Sequence, residues 1–67
     1  MKIKHWYKYT FINKRGLVDH CYNLDHWTDN AAINQKEIFL QNEPGKYLAI
    51  NIERYHDIFN NVLKKIN

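Results

Sequence analysis

The composition describes a small, mildly basic chain with enough apolar residues for a core. Its 67 residues suit one domain spanning residues 1–67, and the single cysteine, Cys21, excludes an intramolecular disulfide. The net charge of +3 is weaker than the dense basic patch of a dedicated duplex-DNA binder. A lone thiol, the absence of an apolar signal segment and the absence of a run of about 20 apolar residues predict a cytoplasmic protein with no membrane segment.

The first element predicted is a β-hairpin. Residues 3–12 and 17–24 are rich in aromatic and β-branched side chains and flank the turn sequence Asn-Lys-Arg-Gly. The aromatic residues are odd-numbered in the first run and even-numbered in the second. Directly opposed residues of two paired strands point to the same face of a sheet. The aromatic residues of the two runs therefore share a face only when each odd-numbered residue pairs with an even-numbered one, so that the paired numbers sum to an odd number. A four-residue loop that pairs Ile12 with Leu17 meets this condition, and Gly16 suits its left-handed last position.

The next stretch, residues 25–35, is a connector. Thr28 is a candidate cap for a short helix over residues 29–33, and an irregular loop is the alternative. A second hairpin is predicted beyond it, with strands at residues 36–41 and 46–52 joined by the turn sequence Asn-Glu-Pro-Gly.

A C-terminal helix is predicted over residues 53–66. Apolar side chains recur there at the i, i+3, i+4, i+7 and i+11 spacing of one helix face; they are Tyr55, Ile58, Phe59, Val62 and Ile66. The predicted fold is therefore α+β. Two β-hairpins, joined by a loop or short helix, form a small sheet or partial barrel on which one C-terminal α-helix packs.

The sequence lacks the residue patterns that a metal site or a catalytic site requires. His20 and Cys21 are adjacent in a strand and point to opposite faces. Only His5 and His26 approach each other across the hairpin, whereas a zinc site takes about three or four ligands. The acidic residues form no recognisable acid/base pair, and a chain this short struggles to enclose a substrate pocket. We expect no metal, no cofactor and no enzymatic activity.

The outer face of the first hairpin is the predicted binding surface. Trp6 lies between Lys4 and Lys8, opposite the aromatic core set, and the turn residues Lys14 and Arg15 extend the basic surface. An exposed Trp flanked by lysines suits a protein hot spot and equally suits base stacking combined with phosphate attraction. The alternative is that the connector covers Trp6 and makes it part of the core.

The second predicted hairpin is a possible dimer interface. Residues 38–40 are consecutive and apolar, which indicates a strand covered on both sides or lying at an interface. One helix covers only one face, so a homodimer that buries Ile38, Leu40 and Tyr47 would cover the other. The alternative is a monomer in which the first hairpin folds over that face and closes a small barrel.

Together these features predict a non-catalytic interaction protein. It would bind and modulate, for example inhibit, a larger protein partner such as a host enzyme or defence complex. Nine Asn, eight Ile and eight Lys residues are typical of AT-rich genomes and associate the chain with phages or mobile elements. The alternative is a small nucleic-acid-binding domain that uses the Lys-Trp-Lys strand face, whose affinity would fall steeply with salt.

Overall fold

A computed structural model describes residues 3–57 and 62–67 as one antiparallel sheet with a helix packed on one face. In chain order the elements are β1 (His5–Asn13), β2 (Val18–His26), α1 (Asp29–Asn42), β3 (Tyr47–Asp57) and β4 (Val62–Lys65). The strands are ordered β2-β1-β3-β4. The protein is therefore α+β, as predicted. However, the sheet is open rather than closed into a barrel, and the helix is internal rather than C-terminal.

The side-chain faces of the β1–β2 hairpin follow the prediction. Tyr9 pairs with Tyr22 and Phe11 with His20, so paired residue numbers sum to an odd number. The aromatic side chains of both strands therefore lie on one face of the sheet. This is the face that α1 covers, since Phe39 of the helix contacts both Tyr9 and Phe11 edge-on.

The hairpin closes differently from the prediction, since Ile12 pairs with Val18 rather than with Leu17. The Asn13 backbone N–H donates a 2.9 Å hydrogen bond to the Leu17 carbonyl oxygen, so these two residues close the turn around residues 14–16. Phe11 pairs with His20, which leaves Asp19 as an extra residue at a bulge and returns the aromatic side chains of both strands to one face. Gly16 adopts the left-handed conformation expected of it, with φ 81°.

The connector and the predicted strand at residues 36–41 form one continuous helix. Thr28 is its N-cap, as predicted, and the Thr28 hydroxyl oxygen accepts a 3.1 Å hydrogen bond from the backbone N–H of Ala31. The helix then continues to Asn42. The prediction of a strand at residues 36–41 is therefore wrong, and so is the prediction of a second hairpin. The Pro-Gly turn links the helix to β3 instead of joining two strands.

Weak periodicity in α1 accounts for this error. Its sheet-facing side combines a small residue, Ala32, with the half-buried Lys36, so the apolar stripe of a helix is interrupted. Phe39 and Leu40 pack against the core, whereas Ile38 is 48% exposed on the outside of the helix. Three consecutive apolar residues therefore do not indicate a doubly covered strand here.

The predicted C-terminal helix is also wrong. Residues 53–57 continue β3, and residues 62–65 form β4, which pairs antiparallel with it. β3 also pairs with β1 as far as Arg54, opposite Tyr7. Pairing with a central strand outweighs a helix-like spacing of apolar residues. Two residues of the predicted apolar helix face, Ile58 and Phe59, lie outside the described residues.

The core lies between the sheet and α1 and is unusually aromatic. The largest fully buried side chains are Tyr7, Tyr9, Phe11, Ile50 and Ile52. Ala32 of α1 is also fully buried, and its small side chain lets the helix backbone approach the sheet. No element among residues 3–57 and 62–67 covers the opposite face, which we call the helix-free face.

Candidate functional site

A polar cluster joins the start of α1 to the sheet. The Tyr7 hydroxyl donates a 2.7 Å hydrogen bond to Asp29 Oδ1, and Arg54 Nη1 donates to the same oxygen at 3.2 Å. Burial of the ring, followed by the hydrogen bond to the Asp29 carboxylate, raises the pKa of Tyr7 to about 12. The three side chains tie β1, β3 and the first turn of the helix together.

Tyr9 and His26 form the second half of this cluster. The Tyr9 hydroxyl lies 2.6 Å from His26 Nε2 and also donates to the carbonyl oxygen of Ala32 at 3.2 Å. Burial raises the pKa of Tyr9 to about 12, with a smaller contribution from Tyr7. Burial also lowers the pKa of His26, which outweighs the opposing effect of Asp25.

The cluster is a structural junction between the sheet and the first turn of α1. Tyr7 and Tyr9 are both 0% exposed, whereas the Asp29 side chain is 44% exposed at the edge of the cluster. Within the described part of the chain, no group of three or more His, Cys, Asp or Glu side chains is placed to hold a metal ion. The cluster therefore orients α1, and sequence reasoning missed it because its members come from four separate elements.

The helix-free face carries the residues that the sequence singled out around Trp6. Trp6 is 42% exposed and pairs with Asp25 of β2, while Lys8 pairs with Asn23 of β2 and with Glu53 of β3. His26 belongs to the opposite face, and the neighbouring Trp27 is itself 52% exposed. The connector thus leaves a large part of the Trp6 ring open to solvent.

The five predicted binding residues do not form one continuous patch. Lys4 lies beside Trp6, where its ammonium is 3.9 Å from an Asp25 carboxylate oxygen and 5.0 Å from the centre of the Trp27 ring. Lys14 and Arg15 occupy the loop at the far end of the hairpin. Eight residues of extended strand separate Trp6 from Lys14, a distance of roughly 26 Å.

Tyr55 is a residue of this face that sequence reasoning missed. Its hydroxyl donates a 3.2 Å hydrogen bond to Asn23 Oδ1, although β1 lies between the two strands. The Tyr55 side chain must therefore cross β1, next to Lys8, which pairs with Asn23. The alternation that turns Ile50 and Ile52 toward the core predicts Tyr55 on the other face, provided that the strand continues past residue 52.

Charges of both signs alternate across the helix-free face. Lys8 of β1, Glu53 of β3 and Lys65 of β4 are successive cross-strand partners. Asp25 lies beside Trp6 in the neighbouring row. Such neighbours compensate one another, so the charges that the described residues place on this face are mixed rather than of the single sign that attracts a phosphate backbone.

A second surface feature, which we call the aromatic cleft, lies between β2 and the C-terminal end of α1. Its volume is about 280 Å³, and it is lined by Phe11, His20, Tyr22, Phe39, Asn42, Glu43, Lys46 and Tyr47. His20 stacks on Phe11 with ring centres 4.3 Å apart, and Tyr22 is 53% exposed at the outer wall. At the rim, Lys46 pairs with Glu43 at 3.0 Å, and this hydrogen bond lowers the pKa of the Glu43 carboxyl.

The three residues of the predicted dimer interface are dispersed. Tyr47 is 8% exposed and belongs to the core, Leu40 packs against that core, and only Ile38 is a well exposed apolar side chain. Ile38 and Leu40 lie on α1 rather than on the predicted strand at residues 36–41, so they do not share a sheet face with Tyr47. A homodimer stays a prediction, without this apolar face to support it.

Comparisons with known proteins identify no relative: no family model, no curated protein and no solved structure matches this chain. Among the described residues, no helix has both the length and the apolar character required to cross a bilayer.

Proposed function

We propose that the chain is a non-catalytic module that docks on a larger protein through its helix-free face. The observation that carries this proposal is Trp6, which is 42% exposed on a sheet face that no described element covers and is surrounded by charges of both signs. Trp is the residue most enriched at the energetic centres of protein interfaces, where polar and charged neighbours form a rim around it.

The surroundings of Trp6 favour protein over nucleic acid as the partner. Two of the nearby cationic groups have acidic neighbours, since Lys4 lies against Asp25 and Lys8 lies opposite Glu53. Nucleic-acid binding draws most of its affinity from unpaired positive charge that displaces counterions from phosphates. Tyr55 adds a second aromatic ring to this face, and its hydroxyl donates a hydrogen bond to Asn23. Because this bond fixes the orientation of the ring before binding, less conformational entropy is lost when a protein partner contacts it.

The proposal can be tested by site-specific photo-crosslinking. A photoreactive phenylalanine analogue replaces Trp6 in one protein and Leu17 in another, and each is irradiated in an extract of cells that encode the chain. Leu17 is a matched control because it is apolar, 60% exposed and located in the distant hairpin loop. We expect a discrete protein adduct from position 6 and none from position 17.

Three other outcomes would refute the proposal. Equal adducts from both positions would indicate nonspecific collision, and no adduct from either would leave the face without a partner. An adduct from position 6 that nuclease digestion removes would favour the nucleic-acid alternative. In that case, binding of a single-stranded oligonucleotide should weaken steeply between low and moderate salt.

A further inference from the structure

The two edges of the sheet differ in how well they are protected against pairing with another strand. β4 is four residues long and carries Lys64 and Lys65, and short, lysine-bearing edge strands resist further pairing. β2 is nine residues long and contains no Lys, Arg or Pro. No described residue pairs with the outer side of β2, because the strand order places it at the end of the sheet.

The outer edge of β2 borders the aromatic cleft. His20 and Tyr22 belong both to this strand and to the cleft wall, and Phe39 of α1 faces them, with its ring centre 6.4 Å from that of Tyr22. An added strand sends alternate side chains to each face of the sheet, so one of them would enter the cleft. At about 280 Å³, the cleft is at or below the lower end of the range for small-molecule pockets and suits a single large side chain.

The charged residues of β2 indicate which kind of added strand would pair favourably with its outer edge. Its charged residues other than histidine are both acidic. Asp25 lies on the helix-free face, 3.9 Å from Lys4 Nζ, and Asp19 lies at a bulge, where its carboxylate is 2.8 Å from His20 Nδ1. Both carboxylates remain about 40% exposed. Basic side chains opposite them would be favourable, since opposite charges on paired strands attract. A second copy of β2 fits poorly. Antiparallel pairing centred on Tyr22 would place Asp19 directly opposite Asp25, where like charges repel.

We infer that the β2 edge is a docking site for an extended segment of a partner protein, which adds to the sheet as a fifth strand. The segment alternates basic residues, which face Asp19 and Asp25, with apolar ones, and one aromatic or branched side chain fills the aromatic cleft. Main-chain hydrogen bonds supply affinity and the cleft supplies specificity, as in other proteins that bind peptides by strand addition. This inference rests on the proposed protein-binding function but uses a surface that excludes Trp6.

The test is a selection of random heptapeptides, displayed on phage, against the immobilised wild-type chain. We expect enrichment of peptides that alternate Lys or Arg with aromatic or branched residues. Binding should fall by at least about tenfold in Tyr22→Lys, because a lysine at an edge strand opposes pairing and the cleft loses its outer wall. Tyr22 is 53% exposed, so this variant should still fold, and a thermal melt checks that it does.

Two control variants separate this site from general charge effects and from the helix-free face. Asn34→Lys adds the same single charge at an exposed position of α1 and should change peptide binding less than about twofold. Trp6→Ala should likewise leave peptide binding unchanged. If Trp6→Ala abolishes peptide binding while Tyr22→Lys does not, the edge assignment is wrong and the proposed function through Trp6 survives.

Other results also overturn the inference. No enrichment above bare resin, or equal retention of the same peptides by Tyr22→Lys, would show that the β2 edge does not accept a strand. Sedimentation of the wild-type chain as a dimer that Tyr22→Lys converts to monomer would assign the edge to a second copy. By contrast, failure of the crosslinking at position 6 together with a positive peptide selection would refute docking through the helix-free face and support the β2 edge as the binding surface.

Discussion

The Tyr9 hydroxyl and His26 Nε2 lie 2.6 Å apart beneath the first turn of α1, in a part of the core where both groups are held neutral. Burial disfavours the charged form of each residue, so the pKa of the phenol rises and that of the imidazole falls. The same contact therefore makes the fold sensitive to acid through one partner and to alkali through the other.

Acid should destabilise the protein through His26. Its pKa in the folded protein is lower than the ordinary 6.5, so the unfolded state binds a proton first as the pH falls. The contribution of neutral His26 is complete above pH 6.5 and is lost as the pH falls through the lowered pKa. Thermal melts at about pH 7.5 and about pH 5 should show this loss.

A pair of histidine variants checks this assignment. His26→Gln removes the titrating group and should make the melting temperature less dependent on pH over the same window. His56→Gln removes a histidine that is exposed on β3 and serves as the matched control. If both variants behave like wild type, acid sensitivity arises elsewhere.

Alkali should act mainly through Tyr7 and Tyr9, the two fully buried phenols among the described residues. The pKa of Tyr7 and of Tyr9 is raised from 10.0 to about 12, so the unfolded chain ionises before the folded one. Their contribution is complete below pH 10.0 and is lost as the pH rises toward and through 12. Absorbance at the phenolate band should show a group of tyrosines that ionises only as the protein unfolds. Tyr9→Phe should reduce that group by one.

The N-cap of α1 predicts a separate stability effect. Thr28→Ala removes the side-chain acceptor for the Ala31 N–H and should lower the free energy of unfolding by about 1 kcal/mol. Thr28→Ser keeps the hydroxyl acceptor, and because serine caps helices at least as well as threonine, it should change the free energy of unfolding by no more than roughly a few tenths of a kcal/mol. Urea denaturation of the two variants measures the difference. Equal losses would mean that the threonine methyl group, rather than the cap, stabilises the helix.

Local patterns in the sequence predict the first hairpin and the start of the helix. They fail for segments whose secondary structure depends on contacts with residues far away in the chain. Side-chain alternation is sufficient to place Trp6 and Tyr7 on opposite faces, and a capping residue is sufficient to mark Thr28. Tyr55 has a helix-compatible spacing, and only pairing between β1 and β3 makes its segment a strand. The aromatic cleft could not be predicted from local patterns either, because its walls come from β1, β2, α1 and β3.

The last prediction separates the two faces of β1 with adjacent substitutions. Tyr7 is 0% exposed, bonded to Asp29 and buried under α1, whereas Trp6 is 42% exposed on the helix-free face. Tyr7→Ala removes a packed ring and should cost about 3 kcal/mol or more, a large part of the stability of so small a domain. Trp6→Ala should change the free energy of unfolding by no more than about 1 kcal/mol, yet weaken partner binding by about 2 kcal/mol or more. Thermal melts test the stability half before any partner is known. A Trp6→Ala protein that unfolds as readily as Tyr7→Ala would make Trp6 a core residue and remove the basis for docking through the helix-free face.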